Sequence, residues 1–123
     1  MKIGIISWDD FKARNLAIAR GEIKPKARDP KVWMPSIETA AKILSAENIA
    51  LLAAIDELKP QSVSELALLT KRKQGNVSRT LKTMSKYGIA ALSEGTGTKK
   101  KPIALATKFQ VEVQASRPSA AQQ

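Results

Sequence analysis

SVSELALLTKRKQGNVSRTLKTMSKYG, residues 62–88, decides the fold. Ser62 offers an N-cap and Glu65 stands three residues on, the spacing of a capping box, so a helix begins at Val63 and runs to Leu69. Its Val63, Leu66 and Ala67 face inward. Lys71, Arg72 and Lys73 then break the apolar pattern as a tight, basic turn. A second helix follows from Gln74 to about Tyr87, burying Val77, Leu81 and Met84 at i, i+4 and i+7, with Thr80 beside them. At about 100° per residue the opposite arc holds Gly75, Asn76, Arg79, Lys82, Thr83 and Lys86. Gly88 supplies the left-handed residue on which helices commonly end.

Charge is concentrated at the same place. The formal net charge is +10, and residues 71–101 carry nine cations (Lys71, Arg72, Lys73, Arg79, Lys82, Lys86, Lys99, Lys100, Lys101) against one anion, Glu94. A generally solvated basic surface would spread these charges. Clustering them points to an acidic partner, and nucleic acid is the commonest.

Upstream, Ile3 to Ile6 reads as a short strand. Ser7 caps a helix from Trp8 to about Arg20, with Ile6 and Phe11 as a hydrophobic staple and Asp9 and Asp10 at the positive end of its dipole. Gly21 stops it. Residues 22–36 contain Pro25, Pro30 and Pro35 and keep no helical or alternating period, so they read as an extended arm. Within it Val32, Trp33 and Met34 form an apolar knot, with Trp33 a packing anchor. Ser36 then caps a short helix with Ile37, Ala40, Ala41 and Leu44 in one stripe. Ser45 caps another through Lys59, burying Leu51, Leu52, Ile55 and Leu58, and Pro60 ends it.

Downstream, Ile89 to Ser93 is a short strand, and Glu94 to Lys101 a flexible basic turn. From Ile103 to Val113 apolar and polar residues alternate, the period of a strand, so the two strands form a β-hairpin. Residues 115–123 are small and polar and are expected to be disordered. The chain thus divides into a strand, helix and proline-rich arm over residues 1–35, a DNA-binding domain over 36–114 and a tail over 115–123.

The 123 residues include no cysteine and no histidine, which removes disulfides, zinc fingers, thiol catalysis and the commonest general base. No cofactor and no metal are expected. The longest apolar run, Ile49 to Ile55, is far short of the roughly 20 residues of a membrane span, and the first residues lack the pattern of a signal peptide. A cytoplasmic protein with no membrane partner is the expectation.

The arc of the second helix mixes residue types that read bases with types that neutralise phosphate. Arg79 can take guanine bidentately, Asn76 can take adenine and Thr83 can meet a thymine methyl, while Lys82 and Lys86 suit the backbone. Gly75 costs helix stability but lets the backbone approach a duplex closely. Lys71, Arg72 and Lys73 oppose the dipole of the helix they precede, a choice that folding alone does not explain and a bound phosphate would reverse. Lys99, Lys100 and Lys101 follow two glycines, on a loop able to meet a phosphate row.

With these residues on view, Ser45 to about Val113 resembles the winged helix-turn-helix domains of the MarR and ArsR type. Glu65, Leu66, Ala67, Asn76, Val77, Ser78, Arg79, Leu81, Met84 and Gly88 carry the resemblance. It implies a mainly α fold with a small β-hairpin wing and an N-terminal strand-helix-arm extension. The second helix of the motif would lie in the major groove, the wing would touch the adjacent backbone, and the protein would act as a homodimer. Groove contacts then fall to Gly75, Asn76, Ser78, Arg79, Lys82 and Thr83, and the wider DNA-binding set adds Lys71, Arg72, Lys73, Gln74, Lys86, Lys99, Lys100 and Lys101. The front segment looks like that of short MarR-like regulators encoded beside small toxins, such as the TumA antitoxins. The metal ligands of ArsR-type sensors and the long flanking helices of larger MarR proteins are missing.

The expected function is therefore a sequence-specific regulator of transcription that binds double-stranded DNA as a dimeric autorepressor, with antitoxin activity toward a cognate toxin as a second task. No catalytic residue is assigned. A small basic nuclease is the rival from another class, but Asp9-Asp10 and Asp56-Glu57 are adjacent pairs whose side chains diverge by about 100° on a helix. A non-specific architectural nucleic-acid-binding protein is the third reading, against which Asn76 and Arg79 argue.

Overall fold

Four serines set the starts of four helices in the computed structural model, which describes residues 1–94 and 99–114. Ser7 opens α1 (Trp8–Ala19), Ser36 opens α2 (Ile37–Ile43), Ser45 opens α3 (Ala46–Leu58) and Ser62 opens α4 (Val63–Thr70). Each stands in extended backbone, and its hydroxyl accepts the N–H three residues on, from Asp10 at 3.2 Å, Thr39 at 3.1 Å, Asn48 at 3.3 Å and Glu65 at 3.0 Å. A cap of this kind stabilises by about 1 kcal/mol. The Glu65 carboxylate accepts the N–H of Gln61 at 2.9 Å, so the return half of the expected capping box reaches one residue before Ser62. The fifth helix, α5 (Gln74–Lys86), has no such cap.

These helices pack through the apolar positions expected of α4 and α5. Val63, Leu66 and Ala67 of α4 meet Val77, Leu81 and Met84 of α5, with Leu51, Leu52 and Ile55 of α3 in the same core. Burying an aliphatic side chain of this size contributes about 1.5–3 kcal/mol. Two stripes differ from expectation. In α2 the buried residues are Ala40 and Ile43, while Ile37 and Ala41 are exposed, because only one short turn of this seven-residue helix faces the body. Leu58 is also exposed. It lies at the last turn of α3, where Lys59 takes the left-handed conformation at φ 47° and turns the chain away.

The front segment holds a sheet that the sequence did not announce. β1 (Lys2–Ile5) is the middle strand of three, flanked by β2 (Val32–Met34) and β5 (Gln110–Val113), all parallel. Val32-Trp33-Met34 is therefore a strand and not part of an irregular arm. Ile3 pairs with Val32 and Ile5 with Met34, and Ile3, Val32 and Met34 are buried in the core that the helices share. The front segment thus supplies core as well as surface. On the other face Trp33 lies over Gly4, where an added Cβ would collide with the indole and with Pro30 Cγ at 2.8 Å. Arg14 of α1 stacks 4.9 Å from the Trp33 ring and bonds Asp29 at 3.2 Å. The Lys26 N–H donates to Asp29 at 2.7 Å, and this bond, with the nearby Arg14 charge, holds the Asp29 carboxyl below its ordinary value despite some lost hydration.

The alternating run from Ile103 to Val113 is likewise not one strand. β4 (Pro102–Ala104) pairs antiparallel with β3 (Ala90–Leu92), in the register Ala90 to Ala104 and Leu92 to Pro102. After the Leu105 N–H donates to Ile89 the chain leaves β3, and the Gln110 N–H donates to Met1 instead. The hairpin is real but short, and the remainder of the run serves the front sheet. The molecule is thus a small, helix-rich mixed α/β protein, with five helices and a few short strands among the described residues. The glycine-rich turn at 95–98 and the tail at 115–123, expected to be flexible and disordered, lie outside the described residues.

Candidate nucleic-acid interface

The turn between α4 and α5 is held at the α4 end. The Thr70 hydroxyl donates to Leu66 at 2.8 Å, Lys71 adopts the left-handed conformation at φ 57°, and the Arg72 N–H returns to Ala67 at 3.0 Å. A left-handed lysine where glycine is usual costs roughly 1 kcal/mol. Lys73 then begins α5 in extended backbone, with no side chain bonded to the helix's first N–H groups and no acid in the first turn. Those donors open among three cations, Lys71, Arg72 and Lys73, an arrangement suited to an anion.

Along α5 the division of faces is complete. Val77, Leu81 and Met84 are fully buried, and Gln74, Gly75, Asn76, Arg79, Lys82, Thr83 and Lys86 are exposed. Ser78 and Thr80 are half-buried at the margins. A Cβ at Gly75 would meet nothing within 4 Å among the described residues, so its lack of a side chain serves no contact there. The Thr83 hydroxyl donates to the Arg79 carbonyl at 3.1 Å, which leaves Thr83 on the face as a methyl-bearing acceptor and not a free donor.

Arg72 and Asn76, expected to contact DNA separately, are bonded to each other. The Arg72 guanidinium donates through Nη2 to Asn76 Oδ1, while Nη1 is buried with no hydrogen-bond partner among the described residues. The pairing fixes which end of the Asn76 amide is engaged. Its NH₂ remains to donate outward, and Arg72, half-buried, is drawn back from the surface beside the exposed Lys71 and Lys73.

Sequence reasoning missed the neighbour of this face. A shallow cleft of about 210 Å³ runs between α5 and the α2–α3 junction, lined by Arg79, Thr80 and Thr83 on one side and by Lys42 and Asn48 on the other. The Asn48 amide donates to the carbonyls of Lys42 at 3.2 Å and Ile43 at 3.1 Å, which pins that junction. Lys42 thus adds a cation beside Arg79 from a helix whose sequence carries no nucleic-acid signal.

Two of the three hairpin lysines, Lys100 and Lys101, have anchored backbones. Lys99 and Lys101 are exposed and Lys100 is half-buried. The Lys100 carbonyl accepts the Val63 N–H at 3.0 Å, and Lys101 exchanges bonds with Ser93 at 2.9 Å each way. The strand limb that bears them is thereby tied to the start of α4.

None of these cations has a carboxylate partner among the described residues. The two ion pairs found there, Lys2 with Glu112 and Arg14 with Asp29, both belong to the front sheet. Among the described residues no group of three acids could hold a metal ion, and no helix is long and apolar enough to cross a membrane.

Comparison with known proteins returns one family. The family model described as HVO_A0114 matches residues 43–111, more than half of the chain, spanning α3, α4, α5, both hairpin strands and the start of β5. No curated protein and no solved structure matches the chain.

Proposed function

The chain belongs to the HVO_A0114 family, and for it we propose the role of a sequence-specific double-stranded DNA-binding regulator of transcription, built as a winged helix-turn-helix. The observation that carries this reading is the exposed face of α5. Asn76, Arg79, Lys82, Thr83 and Lys86 lie there together without a carboxylate partner, on a helix whose other side is wholly buried. A face of that composition has no folding role to explain it. Arg79 and Asn76 read base edges, Lys82, Lys86 and Lys42 neutralise phosphate, and the open N-terminus of α5 accepts a phosphate among Lys71 and Lys73. Lys99 and Lys101 on the hairpin meet the neighbouring backbone.

Repression by occupancy of an operator needs no catalysis. Acting as a homodimer, the protein would present two α5 helices to successive major grooves. A second task, capture of a partner protein such as a toxin, is favoured by α1. That helix has no buried residue and exposes Trp8 and Leu16.

The test is a gel shift on the DNA upstream of the protein's own gene with excess unrelated competitor. Retained binding supports the reading. Complete loss to competitor would leave only a non-specific architectural protein, and no binding at low salt would end the nucleic-acid reading altogether. A log K against log salt plot should fall by about 0.9 per phosphate contacted.

A further inference from the structure

The three-stranded sheet ends on an edge that nothing among the described residues covers. We infer that a second copy of this chain docks there, its β5 pairing antiparallel with β5 about a two-fold axis at Val111, so that two three-stranded sheets become one of six. The inference concerns a surface remote from α5 and does not rest on the DNA-binding reading.

The backbone of β5 is the first argument. All four of its residues are exposed, although the strand belongs to a sheet whose other edge, β2, buries Val32 and Met34. The Gln110 N–H donates to Met1 across the β1 pairing at 3.0 Å. Successive residues of a strand direct their N–H and C=O groups to opposite sides, so Gln110 and Glu112 bond β1. Val111 and Val113 therefore aim theirs at the free edge. The strand contains no proline and no lysine, the residues that commonly guard such an edge.

The apolar face is the second argument. Val111 and Val113 pair with Ile3 and Ile5 and so share the core side of the sheet. Ile3 is completely buried, yet Val111 is 44% exposed and Val113 52%. The core face of the sheet runs out uncovered at its last strand.

Register identifies the occupant. Residues opposite one another in an antiparallel pair share a face, so a two-fold axis through the sheet must set one residue against itself. Centring on Glu112 would set two glutamates directly opposite, with Cα atoms about 4.5 Å apart, and like charges so placed are destabilising. Centring on Val111 places valine against valine and Gln110, an amide donor, against Glu112 of the second copy. Phe109 then falls against Val113 of the second copy. The strand is self-complementary in this register, and its outward N–H and C=O groups at Val111 are those the pairing uses.

The test is the mass of the full chain by sedimentation across a concentration series, with V111P and V111T beside the wild type. A dimer is expected for wild type and V111T. V111P should sediment as a monomer, since it removes an outward N–H and leaves the bonds to β1 intact. Circular dichroism checks that it is folded. Because the chain has no cysteine, single substitutions give an independent reading that does not need proline to be tolerated. V111C should oxidise readily to a disulfide-linked dimer, its two Cα atoms being about 5.5 Å apart. E112C should do so at least tenfold more slowly, because its partner is Gln110. A wild type that is monomeric throughout, a V111P that remains dimeric, or E112C linking faster than V111C would each overturn the inference. A chain that dimerises at Val111 yet binds no DNA would sink only the reading of α5.

Discussion

The N-termini of α1 to α4 and the N-terminus of α5 are built on opposite plans. Each of the first four carries a serine that bonds the helix and an acid in the first turn, Asp9 and Asp10, Glu38, Glu47 and Glu65. The fifth has no bonding side chain, no acid and three cations before it. A serine cap and a complementary charge each stabilise by some tenths of a kcal/mol to about 1 kcal/mol. The same chain that uses this device four times forgoes it at the one helix whose outer face is cationic. The contrast separates helices arranged for stability from one left open for a ligand.

Arg79→Ala is the strongest attempt to break that contrast. It should cost about 1–3 kcal/mol of specific DNA affinity and relax preference at one base position, with almost no change in thermal unfolding. Binding-site selection gives the readout. Wild-type preference in R79A would mean that α5 is not the reading helix.

Converting α5 to the plan of its neighbours comes next. Lys73→Asp supplies a cap and a first-turn charge of the right sign, so the fold should gain about 1 kcal/mol in denaturant unfolding. DNA binding should weaken, and the salt slope should lose about one unit as a phosphate contact goes. Opposite signs for stability and binding are the point. Should K73D destabilise the fold, the open terminus would be structural after all.

The converse change, Ser62→Ala, should remove about 1 kcal/mol of stability while leaving base preference and salt slope as they are. Equilibrium unfolding and DNA titration on one preparation compare the two effects. A shift in base preference would show that α4 does more than support α5.

The smallest effect belongs to the front sheet. Asp29 is held below its ordinary value by the Lys26 N–H and then by Arg14, so its bonds contribute at pH values above the usual carboxylate range. That contribution fades as pH falls through the lowered folded value. D29N should therefore be less stable than wild type near neutrality, and the two curves should converge in acid. A gap that persists at low pH would assign the loss to packing and not to charge.

How much of this was legible in the sequence follows from the range of each interaction. The helices α2 to α5 announce themselves because serine caps, apolar spacing and Gly88 act within a few residues. The exposed face of α5 follows from the same period. β2 was hidden because Val32-Trp33-Met34 is three residues long and set between prolines, too short to show alternation. β5 was visible as a strand but assigned to the hairpin, since a period of two names a strand without naming its partner. Lys42 gave no signal, being brought beside Arg79 only by packing. Arg72 and Asn76 are four residues apart, a spacing at which side chains meet on a helix. Sequence reasoning aimed both at DNA and overlooked their bond to each other.

The pairing of Lys2 with Gln110 has a consequence for how the chain is assembled. β1 leaves the ribosome before the five helices and β5 after them, so the middle strand of the sheet waits for its β5 neighbour until α1 to α5 have all been synthesised. The helices α3, α4 and α5 meet neighbours close in sequence and can settle early, whereas closing a loop of over a hundred residues is slow. Its entropic cost grows only with the logarithm of its length, about 0.6 kcal/mol for each doubling, so delay is the larger penalty. Until closure, Ile3 and Ile5 lack the neighbour that β5 provides. A nascent chain therefore passes through an interval in which the helical body can be complete while the β1 strand is open on the side that β5 will cover.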